Sequence, residues 1–250
     1  MEEEASKRKR RGRLALLRDA GIVIVGALMV SMLLRMFVVQ LFDVPSESME
    51  NTIMAGDHIA VTKIGGVQRG DIVVFEDRLG WLPPSDVEEN TFDRVLIFMG
   101  LAPDDARNYL VKRVIGLPGD HLVCCDAQSR IMINDLPVNA QSYLYINPIT
   151  GEQDDPSTRE FDIVVPKDGL FVAGDHRSDS QDSRYHLCQK PLGDPDGSLA
   201  IVPRSAVIGT VSAIVYPFSR FTTLERPSVF DGVPDPAEPA PDNPIITVGC

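Results

Sequence analysis

The 250-residue sequence is poor in the residues that usually announce chemistry. It has one tryptophan, four histidines and four cysteines. None of the cysteines has zinc-ligand spacing, and no C-x-x-C occurs, so neither a structural zinc site nor a dithiol redox motif is present. G-x-S-x-G, H-E-x-x-H and a phosphate-cradling glycine loop are missing as well. Only one long apolar run exists, which excludes a multi-span membrane protein. Clustered positive charge on the folded part, which nucleic-acid binding needs, is absent too. At 44% hydrophobic residues the chain is too apolar for disorder throughout, and its length allows one sizeable domain or two small ones.

What is there begins with a charge asymmetry. Residues 1–39 carry eight of the 24 Lys and Arg but four of the 36 Asp and Glu, which leaves 16 basic against 32 acidic residues in the rest of the chain. A basic N-terminus (1–19, with KRKRRGR at 7–13) thus precedes the apolar run Ala20–Val39, broken only by Arg35 near its end. About 20 residues cross a bilayer as a helix, and an arginine at the end of such a run can snorkel to the interface. The basic cluster puts the N-terminus on the cytoplasmic side. Residues 20–39 are therefore expected to be a single transmembrane helix in the cell membrane, with an extracytoplasmic acidic body. A cleavable signal peptide is the competing reading, but the run is long for one and no A-x-A follows.

Beyond Val39, short β-branched runs alternate with turn signals: His58–Lys63, Asp71–Phe75, Leu110–Ile115, Ile131–Ile133, Ile163–Val165, Leu170–Ala173 and Val207–Tyr216, separated by Gly65-Gly66, Pro118-Gly119-Asp120 and Asn134-Asp135 among others. Amphipathic helical patterns are lacking. The expectation is a mainly β, antiparallel domain over 40–225, with 226–250, which holds six prolines, as mobile and dispensable chain. Residues 77–108 read as a long loop or small lobe in which Trp81 packs into the core. One bridge from Cys124 or Cys125 to Cys188 is compatible with an oxidising compartment, as are free buried thiols.

Candidate chemistry narrows to two places. Pro45-Ser46-Glu47-Ser48-Met49 lies directly after the apolar run, and Lys112 sits in the apolar strand Tyr109–Ile115. Side chains alternate along a strand, so Lys112 shares a face with Leu110 and Val114 while Arg113 points away. Apolar neighbours desolvate an amine and lower its pKa, and a neutral amine can deprotonate a serine. Standing alone, the strand reads more readily as carrying an ordinary exposed lysine. His58, His121, His176 and His186 leave a Ser-His-Asp arrangement open on spacing. Asp175, Asp179 and Asp182 resemble a calcium loop, but Arg177 and the missing Gly-to-Glu spacing break that pattern.

Taken in order, Pro45–Met49, Gly56–Lys63, Arg69–Phe75, YLVKRVIGLPGD (Tyr109–Asp120) and GDHRSDSQDSR (Gly174–Arg184) resemble the five motif boxes of the type I signal peptidases, with the likeness running to about Pro217. The fourth and fifth boxes are highly specific; the other three are weak singly. The resemblance implies a membrane-anchored serine endopeptidase that removes signal peptides from secretory precursor proteins at the lipid bilayer, needing no cofactor, metal or nucleic acid. It implies Ser48 as nucleophile, Lys112 as general base, Ser46 as an oxyanion-hole donor beside the Ser48 N–H, and Ser180 as the group that orients the base. Arg113, Asp175, Asp182 and Arg184 would buttress the site. Phe42, Val44, Met49, Leu110 and Val111 would line shallow pockets for small residues at −1 and −3, the substrate adding a strand by backbone pairing. Two positions depart from the family: its proline after Met-x is Asn51, and its usual asparagine in the last box is His176. The short stretch between those boxes implies a reduced second β subdomain over about 121–168. The alternative from another class is a non-catalytic, membrane-tethered β-domain acting as a binding or assembly factor.

Overall fold

The computed structural model describes residues 18–31, 38–84, 90 and 108–248. The chain divides into two units, one of Met1–Gln40 with Glu89–Pro103 and one of Leu41–Glu88 with Asp104–Cys250. In the first, residues 18–31 are helical, with Ile22, Val23, Leu28 and Met29 more than half exposed. Among the described residues no helix is long and apolar enough to cross a membrane. Residues 32–37 of the expected span, the basic stretch 7–13 and most of 77–108 lie outside the described residues.

The larger unit is mainly antiparallel β, with short 3-10 turns between strands. Its strands are β1 Val39–Asp43, β2 His58–Thr62, β3 Ile72–Glu76, β4 Tyr109–Gly116, β5 His121–Cys124, β6 Ile131–Ile133, β7 Leu136–Val138, β8 Phe161–Val164, β9 Gly169–Ala173, β10 Val202–Pro203, β11 Val207–Tyr216, β12 Thr222–Thr223 and β13 Ile245–Val248. The main sheet runs β1-β2-β11-β3-β4-β9-β10, with β12 on β11; the second runs β13-β8-β5-β6-β7.

Central strands of the main sheet are covered on both faces, and their alternation shows it. In β3, Ile72 and Val74 join the cluster of Val44, Met49, Ile53, Ile59, Val61, Val211 and Ile214. Val73 and Phe75 join Trp81, Val114, Leu170, Val172, Val202 and Ala206 on the other side. Period-2 burial of this kind fixes register, because a one-residue slip would exchange the two clusters. Trp81 packs as expected: it is 7% exposed, and its Nε1–H donates to the Leu199 carbonyl at 2.8 Å. The register of Ile133 against Leu136 leaves a two-residue hairpin, and Asn134 and Asp135 both take the positive φ that such a turn requires.

Two expectations are corrected. Within the expected loose tail, residues 226–248 are ordered chain. Phe230 is buried in the core of the second sheet, β13 pairs with β8, the Asn134 side chain donates to the Pro234 carbonyl and the Lys167 N–H to that of Pro241. Proline lacks an N–H but keeps a carbonyl and an apolar ring, and this segment uses both. The reduced second subdomain accordingly gains a strand from outside 121–168. Cys124 is disulfide-bonded to Cys125 rather than to Cys188, the two Cα atoms standing 2.9 Å apart across a cis peptide bond, and Cys188 is itself disulfide-bonded.

Candidate active site

Ser48 is carried by a tight turn after β1. The Glu50 N–H donates to the Glu47 carbonyl at 2.9 Å and the Ile53 N–H to that of Met49 at 2.8 Å. Met49 and Ile53 anchor the turn in the core at 1% and 0% exposure. Asp57 clamps it from below: its carboxylate accepts the Met54 N–H at 2.9 Å and both arms of Arg220 at 2.8 and 3.0 Å. Asn51 sits at φ +80°, a left-handed conformation that asparagine tolerates and proline, locked near −65°, cannot adopt.

Lys112 lies in β4 opposite Val73 of β3. Its Nζ stands 2.5 Å from the Ser48 Oγ, and the two residues are 3% and 7% exposed. Burial lowers the amine's pKa from 10.5 to about 8, opposed first by the charge of Asp182 and aided by that of Arg184. At that value a useful fraction of the amine is neutral near physiological pH. A neutral amine in hydrogen-bond contact with a hydroxyl can accept its proton as the oxygen attacks a carbonyl.

The next residue along β4 points the other way, as strand alternation demands. Arg113 donates to both oxygens of Asp175 at 2.7 and 2.6 Å and to the Gly70 carbonyl at 2.7 Å, and its guanidinium lies 4.5 Å from the centre of the Tyr143 ring. Burial opposes its charge, but Asp175 outweighs that and raises its pKa. Thr52 closes the circuit, its hydroxyl donating to Asp175 at 2.5 Å. Arg184 makes the second buried pair, with Asp182, at 2.9 and 2.6 Å. The Asp182 carboxylate also takes the Gly174 N–H at 3.0 Å. Burial would raise its pKa, and Arg184 reverses that to a net lowering. Both pairs are bidentate and nearly fully buried, the arrangement that holds geometry best, since removing one partner strands a charge.

The residues singled out from the sequence therefore fall into place unequally. Ser48, Lys112 and the two ion pairs converge. The Ser46 hydroxyl accepts the Ser48 N–H at 3.2 Å. Ser180 packs against Gly174, and its buried hydroxyl lies beside the Asp182 carboxylate, whose pKa it helps to lower. Phe42, Val44, Met49 and Val111 gather on one cluster, whereas Leu110 packs with the cluster on the opposite face of the sheet. His58 pairs with Asp43, His121 with Asp162, and His186 with Gln189 and the Trp81 ring, so these three are engaged away from Ser48.

Sequence reasoning missed several participants. A Cβ at Gly174 would overlap the Ser48 carbonyl and the Ser180 side chain, so only glycine lets the last-box turn approach the nucleophile. Arg177 is a buried cation with no carboxylate in ion-pair contact among the described residues: its guanidinium donates to the carbonyls of Gly174 and Pro156, and burial lowers its pKa. His176 donates its backbone N–H to the Ser48 carbonyl at 3.1 Å. All three lie in GDHRSDSQDSR, so the segment was visible but the contacts were not.

A family model described as signal peptidase, peptidase S26, matches residues 17–216. Signal peptidase I of Mycobacterium tuberculosis (strain H37Rv) is 34% identical over 227 residues, covering 82% of this chain and 74% of its own. A probable signal peptidase I of Mycobacterium leprae is 34% identical over 212 residues, 74% and 71% of the two chains. Signal peptidase I U of Bacillus subtilis (strain 168) is 28% identical over 204 residues, 79% and 88%. A match across most of the chain, with relatives a third identical over most of both lengths, means that the chain belongs to the signal peptidase family, peptidase S26, and is a hydrolase of the signal peptidase I kind.

Proposed function

We propose that the protein is a membrane-anchored endopeptidase that removes N-terminal signal peptides from exported precursors by a Ser48/Lys112 dyad. The observation that carries this reading is the 2.5 Å contact between a buried amine of lowered pKa and the Ser48 hydroxyl. Neutral Lys112 takes the hydroxyl proton as Ser48 attacks the scissile carbonyl, and the resulting ammonium gives it to the leaving amine. The Ser48 N–H and the Ser46 hydroxyl stabilise the oxyanion, Ser46 turning from acceptor to donor once a substrate oxygen arrives. Ser180, whose hydroxyl lies beside Asp182, is the group that would orient the amine. Phe42, Val44, Met49 and Val111 offer an apolar floor for small residues at −1 and −3, with Leu110 across β4. Anchoring rests on the apolar run 20–39 behind its basic cluster, which places the peptidase outside the cytoplasm with lipid as its neighbour.

The test is cleavage of a precursor carrying an Ala-x-Ala site by the detergent-solubilised protein, with Ser48→Ala and Lys112→Ala alongside. Cleavage after the second alanine that is lost in both variants supports the dyad. Activity surviving in Lys112→Ala would assign the base elsewhere. A wild-type protein inert on every precursor would favour a tethered binding module.

A further inference from the structure

We propose that His176 is a positioning residue: its imidazole pins the Glu47–Ser48 peptide and thereby aims the Ser48 N–H at the oxyanion. The inference rests on the reading of Ser48 as nucleophile given above. Both carbonyls that flank the nucleophile end on this one residue. The backbone N–H of His176 donates to the Ser48 carbonyl at 3.1 Å, and its Nδ1 lies 3.3 Å from the Glu47 carbonyl. A carbonyl can only accept, so Nδ1 carries the proton.

The second contact matters because a peptide unit is planar. The Glu47 C=O and the Ser48 N–H belong to one rigid plane and point in opposite directions, so holding the oxygen sets the line of the N–H. That N–H rests against the Ser46 Oγ at 3.2 Å, at the place where a substrate oxygen would compete for it. Ser46 and Glu47 are both exposed, and no buried side chain of their own steadies the plane.

The imidazole can act as a pin because it is itself held. It stacks on Tyr145 with centroids 3.7 Å apart and an interplanar angle of 23°. Tyr145 is fixed at both ends of its backbone, donating to the Asp175 carbonyl at 3.0 Å and accepting the Asp154 N–H at 2.9 Å. The Glu50 carboxylate stands 3.6 Å from the same Nδ1, so the ring is flanked as well as stacked. The Ser48 hydroxyl is engaged by Lys112, and the ring's hydrogen bond goes to the Glu47 carbonyl. An asparagine, the family's usual residue here, carries its Nδ2 donor the same number of bonds from Cβ as the histidine Nδ1.

That equivalence supplies the experiment. His176→Phe keeps a ring for Tyr145 but loses the donor; His176→Asn keeps the donor but loses the ring. Removing an oxyanion donor lowers the rate about 10²–10³-fold, and misdirecting one falls somewhat short of that. Full-length His176→Phe is expected to cut a signal-peptide precursor with kcat reduced about 10- to 100-fold and KM within about twofold of wild type, its unfolding midpoint unchanged. His176→Asn should recover kcat to within about fivefold. Wild-type kcat in His176→Phe overturns the proposal. So does an equal loss in both variants, or a loss that follows the unfolding midpoint, since either would mean that the ring serves packing alone. Ser48→Ala is assayed in parallel: activity persisting there sinks the dyad itself, whereas an inactive Ser48→Ala beside a fully active His176→Phe sinks only this inference.

Discussion

The displaced pKa of Lys112 can be read directly from the pH dependence of catalysis. With a value of about 8, about a tenth of the amines are neutral at pH 7 and about nine tenths at pH 9. Because kcat/KM reports groups of the free enzyme, it should climb about tenfold between pH 7 and 9 and then level off. A lysine left at 10.5 would instead give a rise of about a hundredfold over the same interval, with no plateau before pH 10. The perturbation that tests the cause is Asp182→Asn. Among the charges acting on Lys112, that of Asp182 raises its pKa most, while Arg184 lowers it. Deleting the carboxylate charge while keeping its shape leaves Arg184 unopposed, so the midpoint of the profile should move below 8. The assay is cleavage of a signal-peptide precursor from pH 6 to 10.5 under conditions where folding is monitored. A midpoint that moves upward in Asp182→Asn, or a wild-type profile flat from pH 6, would refute the assignment of that ionisation to a desolvated Lys112.

Stability should respond to the same burial with a definite sign. Between pH 8 and 10.5 the unfolded chain still holds the Lys112 proton that the folded protein has shed, so wild-type stability rises across that window. Below pH 8 the folded protein carries the full penalty of charging a buried amine, about 3 kcal/mol. Lys112→Met is therefore expected to be more stable than wild type at pH 6–7 and to lose that advantage by pH 10.5, as followed by urea denaturation. Asn51→Pro, which restores the family's residue, should destabilise by more than about 1 kcal/mol because φ +80° is closed to proline; Asn51→Gly should melt within a few degrees of wild type. Phe230→Ala should remove about 3–5 kcal/mol, since Phe230 is 3% exposed in the second core; thermal unfolding of the full chain distinguishes this from the neutral result that a loose tail would give.

Much of this protein was legible in the sequence, for reasons that are local. Strands betray themselves by period-2 alternation and β-branched residues, so β2, β3, β4 and β11 could be drawn before any coordinates, and Lys112 and Arg113 had to face opposite ways. The turn at Asn134-Asp135 was marked by residue type, though its two-residue hairpin and left-handed φ values were seen only in the structure. The order of the five boxes, with a serine turn first and an apolar lysine strand fourth, carried the resemblance to the family that the comparisons then bore out. Other properties depend on residues far apart in the chain, and these only the tertiary structure decided. Lys112 meets Ser48 across 64 positions, and the pKa that makes the pair useful comes from burial beneath strands the local sequence does not mention. Gly174 matters because of a carbonyl more than a hundred residues upstream. The proline-rich end looked unstructured because composition records missing N–H donors, whereas its order comes from carbonyls, rings and Phe230 meeting distant partners. In the same way Asn51 looks like a tolerated replacement until its φ is known, and then it is the family's proline that the turn excludes.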